Sequence, residues 1–164
     1  MNIEIKNLDN LTEEEKETFN RLVEKANKKS KVFKPAHRQE YFYIDTEGDV
    51  SDQKWEDDGY DNICYELGNC FGTRKQAEFA LEKQKVYIKL KRYALEHNED
   101  VFDWRDGYQR KYYIYCECEE LGISYTEYLR VPSNIYFTSP IIAQKAIKEI
   151  GEDRIKKYLF GVGE

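Results

Sequence analysis

Phe71-Gly72-Thr73-Arg74-Lys75-Gln76-Ala77-Glu78-Phe79-Ala80 and Phe137-Thr138-Ser139-Pro140-Ile141-Ile142-Ala143-Gln144-Lys145-Ala146 carry one pattern twice. Each has a Phe, a hydroxyl residue two positions on, and Ala at the fourth and seventh positions after that hydroxyl. A hydroxyl ahead of such a run is an N-cap, because its oxygen accepts from a backbone N–H that the first helical turn leaves unpaired. Upstream, Phe42-Tyr43-Ile44 and Tyr112-Tyr113-Ile114 form a second matched pair. The order is aromatic strand, polar middle, short apolar strand ending in Phe, cap, then helix. An internal repeat names the building block before the fold is known. The pattern predicts an α+β protein with two strand-strand-strand-helix units packed around a long central helix, and a separate N-terminal helix.

Three segments follow. Residues 1–39 hold a helix and a basic linker: Thr12 and Glu15 form a capping box, and Phe19, Leu22, Val23 and Ala26 draw one apolar stripe. That stripe suits docking on the body of the protein or pairing with a copy of itself. Residues 40–98 form the first repeat, with strands over 41–44, 49–55 and 64–71, and a helix from the Thr73 cap to His97. Ala77, Ala80, Leu81, Ile88 and Leu95 make one apolar stripe on this helix, and Phe79, Val86, Leu90 and Tyr93 another, so it is expected to be covered on two sides. Residues 99–164 form the second repeat: strands over 112–118, 125–131 and 134–137, a helix from Ser139 and Pro140 to the Gly151 stop, and a short helix over 152–160. Phe42, Ile44, Phe71, Ala77, Ile114, Phe137, Ala143 and Ile147 are the predicted core, and Ile155, Tyr158, Leu159 and Phe160 are expected to join it.

Composition narrows the class. The chain has 164 residues, enough to bury a core, and 35% of them are charged. Fourteen Tyr and an aromatic fraction of 15% argue for a folded chain, since disordered segments are poor in aromatics. A net charge of −6 disfavours nonspecific nucleic-acid binding. Neither a membrane-spanning apolar run nor an export signal is expected, and four Cys in such a chain are expected to be reduced thiols in a cytoplasm.

Catalytic motifs are not found: His37 and His97 stand apart from any nucleophile, and Gly68 to Lys75 has the wrong order for a phosphate loop. Cys64, Cys70, Cys116 and Cys118 read as small core hydrophobes, because residues two apart on a strand are about 7 Å apart and ligate one metal poorly. We therefore expect no enzyme activity, no metal and no cofactor.

Charge points to binding instead. Between Asp45 and Glu66 nine acids face a single Lys54, whereas the following helix is rich in Lys and Arg. Such runs are ordinary solvated faces or a docking surface for a basic protein. In the docking reading Trp55 and Tyr60 are the apolar anchors, with Asp57, Asp58 and Asp61 around them. A second reading holds a nucleotide at the helix N-termini: Thr73, Arg74, Lys75 and Ser139 take the phosphates, and Tyr43, Tyr113 or Tyr115 stacks the base. Ordinary capping by Thr73 and Ser139 is the plain alternative.

The combination Tyr41-Phe42-Tyr43-Ile44-Asp45, Gly68-Asn69-Cys70-Phe71-x-Thr73, Ala77-Glu78, Lys111-Tyr112-Tyr113-Ile114-Tyr115, Phe137-x-Ser139 and Ile150-Gly151-Glu152-Asp153-Arg154-x-Lys156-Lys157-Tyr158-x-Phe160 resembles a family of small proteins from phages and prophages of Firmicutes. The resemblance spans residues 40–160, and Gly72 and Arg74 depart from the family's usual Lys and Lys or Glu. It implies a setting, not a reaction. In that setting, a bacterial host's cytoplasm, small accessory proteins commonly antagonise host defence and usually work by binding, which implies a non-catalytic inhibitor of a host protein. In the nucleotide reading the ligand at the Thr73 or Ser139 helix terminus is a nucleotide such as an immune second messenger. Homo-oligomers are compatible with either.

Overall fold

In the computed structural model, which describes residues 12–27, 32–131 and 134–163, the chain is α+β with five helices and two antiparallel hairpins. The opening residues 1–11, the linker residues 28–31 and the side chains of Val23 and Ala26 lie outside the described residues. The chain divides into two compact units, residues 1–34 and 35–164. In the first unit, α1 (Glu13–Asn27) starts at a true capping box: Glu15 N donates to Thr12 Oγ1 at 3.4 Å and Thr12 N donates to Glu15 at 2.8 Å. No helix among the described residues is long and apolar enough to cross a membrane.

The second unit begins with the hairpin β1 (Glu40–Ile44) and β2 (Val50–Lys54), in register Phe42↔Asp52. Asp45 builds its turn, accepting from the Glu47 and Asp49 amides and from Ser51 Oγ. Next come α2 (Gly59–Glu66) and the 24-residue α3 (Arg74–His97). The second hairpin is β3 (Lys111–Glu117) and β4 (Glu120–Thr126), and α4 (Pro140–Ile150) and α5 (Glu152–Phe160) close the chain. Helix α3 packs on the first hairpin toward its N-terminus and on α4 and α5 along its length. Val86, Leu90, Tyr93 and Ala94 of α3 share the main core with Phe137, Ala143, Ala146, Ile147, Ile150 and Ile155. Arg154 ties α5 to α3 through Glu82 at 2.7 Å.

Three expectations for strands are corrected. The segment over 64–71 is not a strand. Asp58 caps residues 59–66 as a helix, and only Phe71 bridges Phe42, through two backbone bonds of 2.9 Å. The Asn69 amide replaces the next rung, donating to Ile44 O and accepting from Ile44 N, both at 2.8 Å. The strand expected over 125–131 is instead β4, five residues earlier in its start, because the chain reverses at Cys118 and Glu119. Here too the short third strand is a single bridge, Tyr112 to Phe137. Each predicted three-strand unit is thus a two-stranded hairpin plus one bridging Phe, followed by a capped helix.

The core differs in detail. Ala77, Phe137, Ala143 and Ile147 are buried, while Phe42, Ile44, Phe71 and Ile114 are half-buried. Ile88 and Leu95, expected on a covered stripe of α3, are exposed, and so is Phe160. The covered faces of α3 run through Ala77 on one side and through Val86, Leu90, Tyr93 and Ala94 on another, the last four sharing a core with α4 and α5.

Residues Cys118 and Glu119 connect β3 to β4 with φ of +49° and +66°. Two positive φ values in a two-residue loop define the tight turn that Asn-Gly fits best, and side chains with a Cβ are strained there. The double substitution Cys118→Asn/Glu119→Gly should therefore raise stability by about 1 kcal/mol. Urea unfolding followed by circular dichroism measures it.

Candidate functional site

The site grows from one buried carboxylate. Asp61, in the first turn of α2, is 1% exposed. Its Oδ1 accepts from the Tyr41 hydroxyl at 2.8 Å and from Gln53 Nε2 at 2.7 Å. Its Oδ2 accepts from the Glu56 amide at 2.7 Å and the Asp58 amide at 3.4 Å. Asp58 returns the bond, its Oδ1 accepting from Asp61 N at 2.9 Å, which completes a capping box. Burial alone would raise the Asp61 pKa, but the bonds from Tyr41, Glu56, Gln53 and Asp58 outweigh it and hold the group below the ordinary carboxylate value. The same burial, with the carboxylate beside it, pushes the Tyr41 phenol far up, so it stays a donor.

Aromatic packing finishes the platform. Trp55 is 3% exposed, edge-on to Tyr41 at 5.8 Å and to Tyr65 at 6.3 Å. Tyr43 meets Tyr60 edge-on at 5.8 Å. Odd-numbered residues of β1 thus carry α2, and even-numbered Phe42 faces α3, as strand alternation requires. Two of the predicted partner-binding residues are corrected by this geometry. Trp55 and Asp61 are interior groups that hold α2 in place, and neither is presented to a partner. Asp57, Asp58 and Tyr60 do lie at the surface. Asp58 is occupied as the cap, and Tyr60 is half-exposed with its phenol raised to about 12 by burial, then by Cys64 and Tyr43.

With one side of α2 fixed, the other is defined, and Tyr60 stands at the boundary, packed on Tyr43 yet half-exposed. Tyr60, Ile63 and Leu67 recur at i, i+3 and i+7 and are 49%, 56% and 78% exposed. Glu56, Asp57 and Asp58 just before α2 and Glu66 in its last turn are exposed as well. Leu67 was missed because it falls in the strand expected over 64–71, and Ile63, just before that strand, was given no element. Elsewhere in the acidic run, Asp45 is used by its turn and Asp52 pairs with Arg74 at 2.8 Å.

The residues of the nucleotide reading do not converge. Thr73 and Ser139 cap their own helices, donors Gln76 N and Ile142 N standing 3.3 and 3.2 Å away. Arg74 donates to Val50 O and Asp52 and lies over the Phe42 ring, on the hairpin face opposite Tyr43. Lys75 is exposed. Tyr113 packs against Tyr136, and Tyr115 crosses Gly122, where a Cβ would run into its ring. Tyr112 and Ile114, their neighbours on the other strand face, are the ones packed toward α4.

All four Cys are free: Cys64 is buried, Cys70 and Cys116 half-buried, and Cys118 exposed at the hairpin turn, against the expected core position. Burial, then Cys64 and Asp61, raises the Cys70 thiol to about 11. Among the described residues no three His, Cys, Asp or Glu side chains form a metal-holding group. Comparison with protein-family models, with curated proteins and with solved structures gives no match.

Asp61→Asn turns an amide donor toward groups that already donate, so it should cost about 2–4 kcal/mol, whereas exposed Asp57→Asn should stay within about 0.5 kcal/mol. Because the native carboxyl is held low, its contribution is complete above the unfolded pKa of about 3.9 and vanishes as pH falls through the native value. Denaturant melts of both proteins from neutral to acid pH should show the gap narrowing below about pH 4.

Proposed function

We propose that this chain acts without catalysis, as a phage or prophage accessory protein that binds and inhibits a host protein through the outer face of α2. The observation that carries the reading is the exposed row of Tyr60, Ile63 and Leu67, with the exposed acids Glu56, Asp57, Asp58 and Glu66 at the two ends of the same short helix. Three large apolar side chains aligned on one helix face leave a continuous patch exposed to water, and such patches mark interaction sites. An apolar centre flanked by charged groups is the anatomy of a binding hot spot. The carboxylates favour a basic partner, such as a nucleic-acid-handling defence protein, and would speed its approach at low salt.

The resemblance to phage and prophage proteins supports the setting, a bacterial host's cytoplasm with host defence as the target. Sequestration of a nucleotide gains nothing from the geometry, since Tyr43 and Arg74 stand on opposite faces of one hairpin. Asp61 contributes by fixing α2, so charge-reversal tests belong on the surface acids.

Affinity capture from host lysate tests the reading, with wild-type protein beside Ile63→Arg/Leu67→Arg and Asp57→Lys/Glu66→Lys. The wild type should retain a basic protein at low salt and lose it as salt rises. The apolar variant should weaken that complex by about 30-fold or more, the loss expected when an anchor worth ~2 kcal/mol is removed. Equal recovery on all three baits would refute the reading.

A further inference from the structure

At the far end of α3, the loop over 98–110 folds Phe102 and Trp104 onto Tyr136. Trp104 meets Tyr136 edge-on at 5.0 Å, and Phe102 lies 6.3 Å from each. Together with Tyr87 and Leu95 of α3 these rings line a groove of about 470 Å³. The loop is held by Lys111, which is fully buried. Its ammonium donates to Asp106 O at 2.9 Å and Glu127 O at 3.0 Å, and sits 5.4 Å from the Trp104 ring centre. The groove's charged lining is Lys91 and Arg130, the latter stacked 4.6 Å over Trp104, with no carboxylate among the described residues lining it. The reversal of sign against the chain's net charge of −6 is confined to this lining, since the loop's own exposed acids Glu99, Asp100, Asp103 and Asp106 are not part of it. Leu95, at the lip, is 75% exposed.

The complement to this groove exists on the same chain. The α2 face offers Tyr60, Ile63 and Leu67 with acids at the two helix ends, and the groove offers apolar rings with a cationic lining. One chain cannot join them, because Asp61 and Tyr43 fix α2 to the hairpin face opposite the one on α3. We propose that the groove receives the α2 face of a second copy of this chain, so that copies associate head to tail. Unlike surfaces pairing between copies leave one of each free at the ends, so the assembly grows with concentration unless it closes into a ring. The contact uses the α2 surface and requires no host partner. A host protein that takes α2 would compete with it.

Sedimentation velocity of the full chain tests this, with Leu67→Glu and Leu95→Glu as variants at exposed positions, each checked for wild-type circular dichroism. The wild type should form a concentration-dependent series larger than a dimer, or a closed ring, that shrinks as salt rises. Each variant alone should associate at least about tenfold more weakly. Mixed in equal amounts, they should form a one-to-one dimer and nothing larger, because one keeps an intact groove and the other an intact α2 face. A wild type that stays monomeric at high concentration and low salt would overturn the proposal, as would variants that assemble like the wild type or a mixture that stays monomeric. A monomeric wild type that still captures a host protein would overturn this inference alone and leave the host-binding reading standing.

Discussion

A carboxylate taken out of water must recover its lost hydration from fixed donors, and Asp61 does so with four of them. Those donors come from β1, β2 and the turn that leads into α2, so one side chain fastens three segments that the rings of Tyr41, Tyr43, Trp55 and Tyr60 also join. Charge-assisted bonds of this kind are stronger than neutral ones, and a buried group of this kind has a large cost if any donor is lost. The inner surface of α2 is thereby fully committed. What α2 shows to solvent follows from that commitment rather than from any preference of Ile63 or Leu67 for water.

The same economy runs through the repeat. Each unit extends its hairpin by a single Phe bridge and then needs only a hydroxyl cap to start a helix. Side-chain amides replace the missing strand rungs: Asn69 pairs with the backbone of Ile44, and Asn98 accepts from Thr138 N while donating to Tyr136 O. A short chain thus satisfies its edge backbone groups without a full third strand. Asn98 also ends α3 beside the aromatic groove, which links the helix spine to the loop carrying Trp104.

Local signals were legible and tertiary ones were not. Thr12, Thr73, Ser139, Pro140 and Gly151 mark helix ends by bonds made within a few residues, so sequence suffices to find them. The alternation of β3 was equally plain, but not its end, because Cys118 and Glu119 are unusual residues for a turn with positive φ. Helix α2 escaped because its capping box uses Asp58 and Asp61 rather than a hydroxyl and Glu, and its eight residues expose Ile63 while burying Cys64. Trp55 looked like a surface anchor amid acids, yet Tyr41 and Tyr65 enclose it from distant positions. The groove had no periodic signature, since Phe102 and Trp104 sit in a loop and meet Tyr136 only after folding.

Native-state hydrogen exchange on Tyr41→Phe tests most directly whether the Asp61 network holds α2 in place. That variant keeps the ring but removes the hydroxyl that donates to Asp61. The account predicts faster exchange at the amides of α2 and at Glu56 and Asp58, with α4 and α5 protected as in the wild type. Unchanged protection of α2, or an equal loss across α4 and α5, would contradict it.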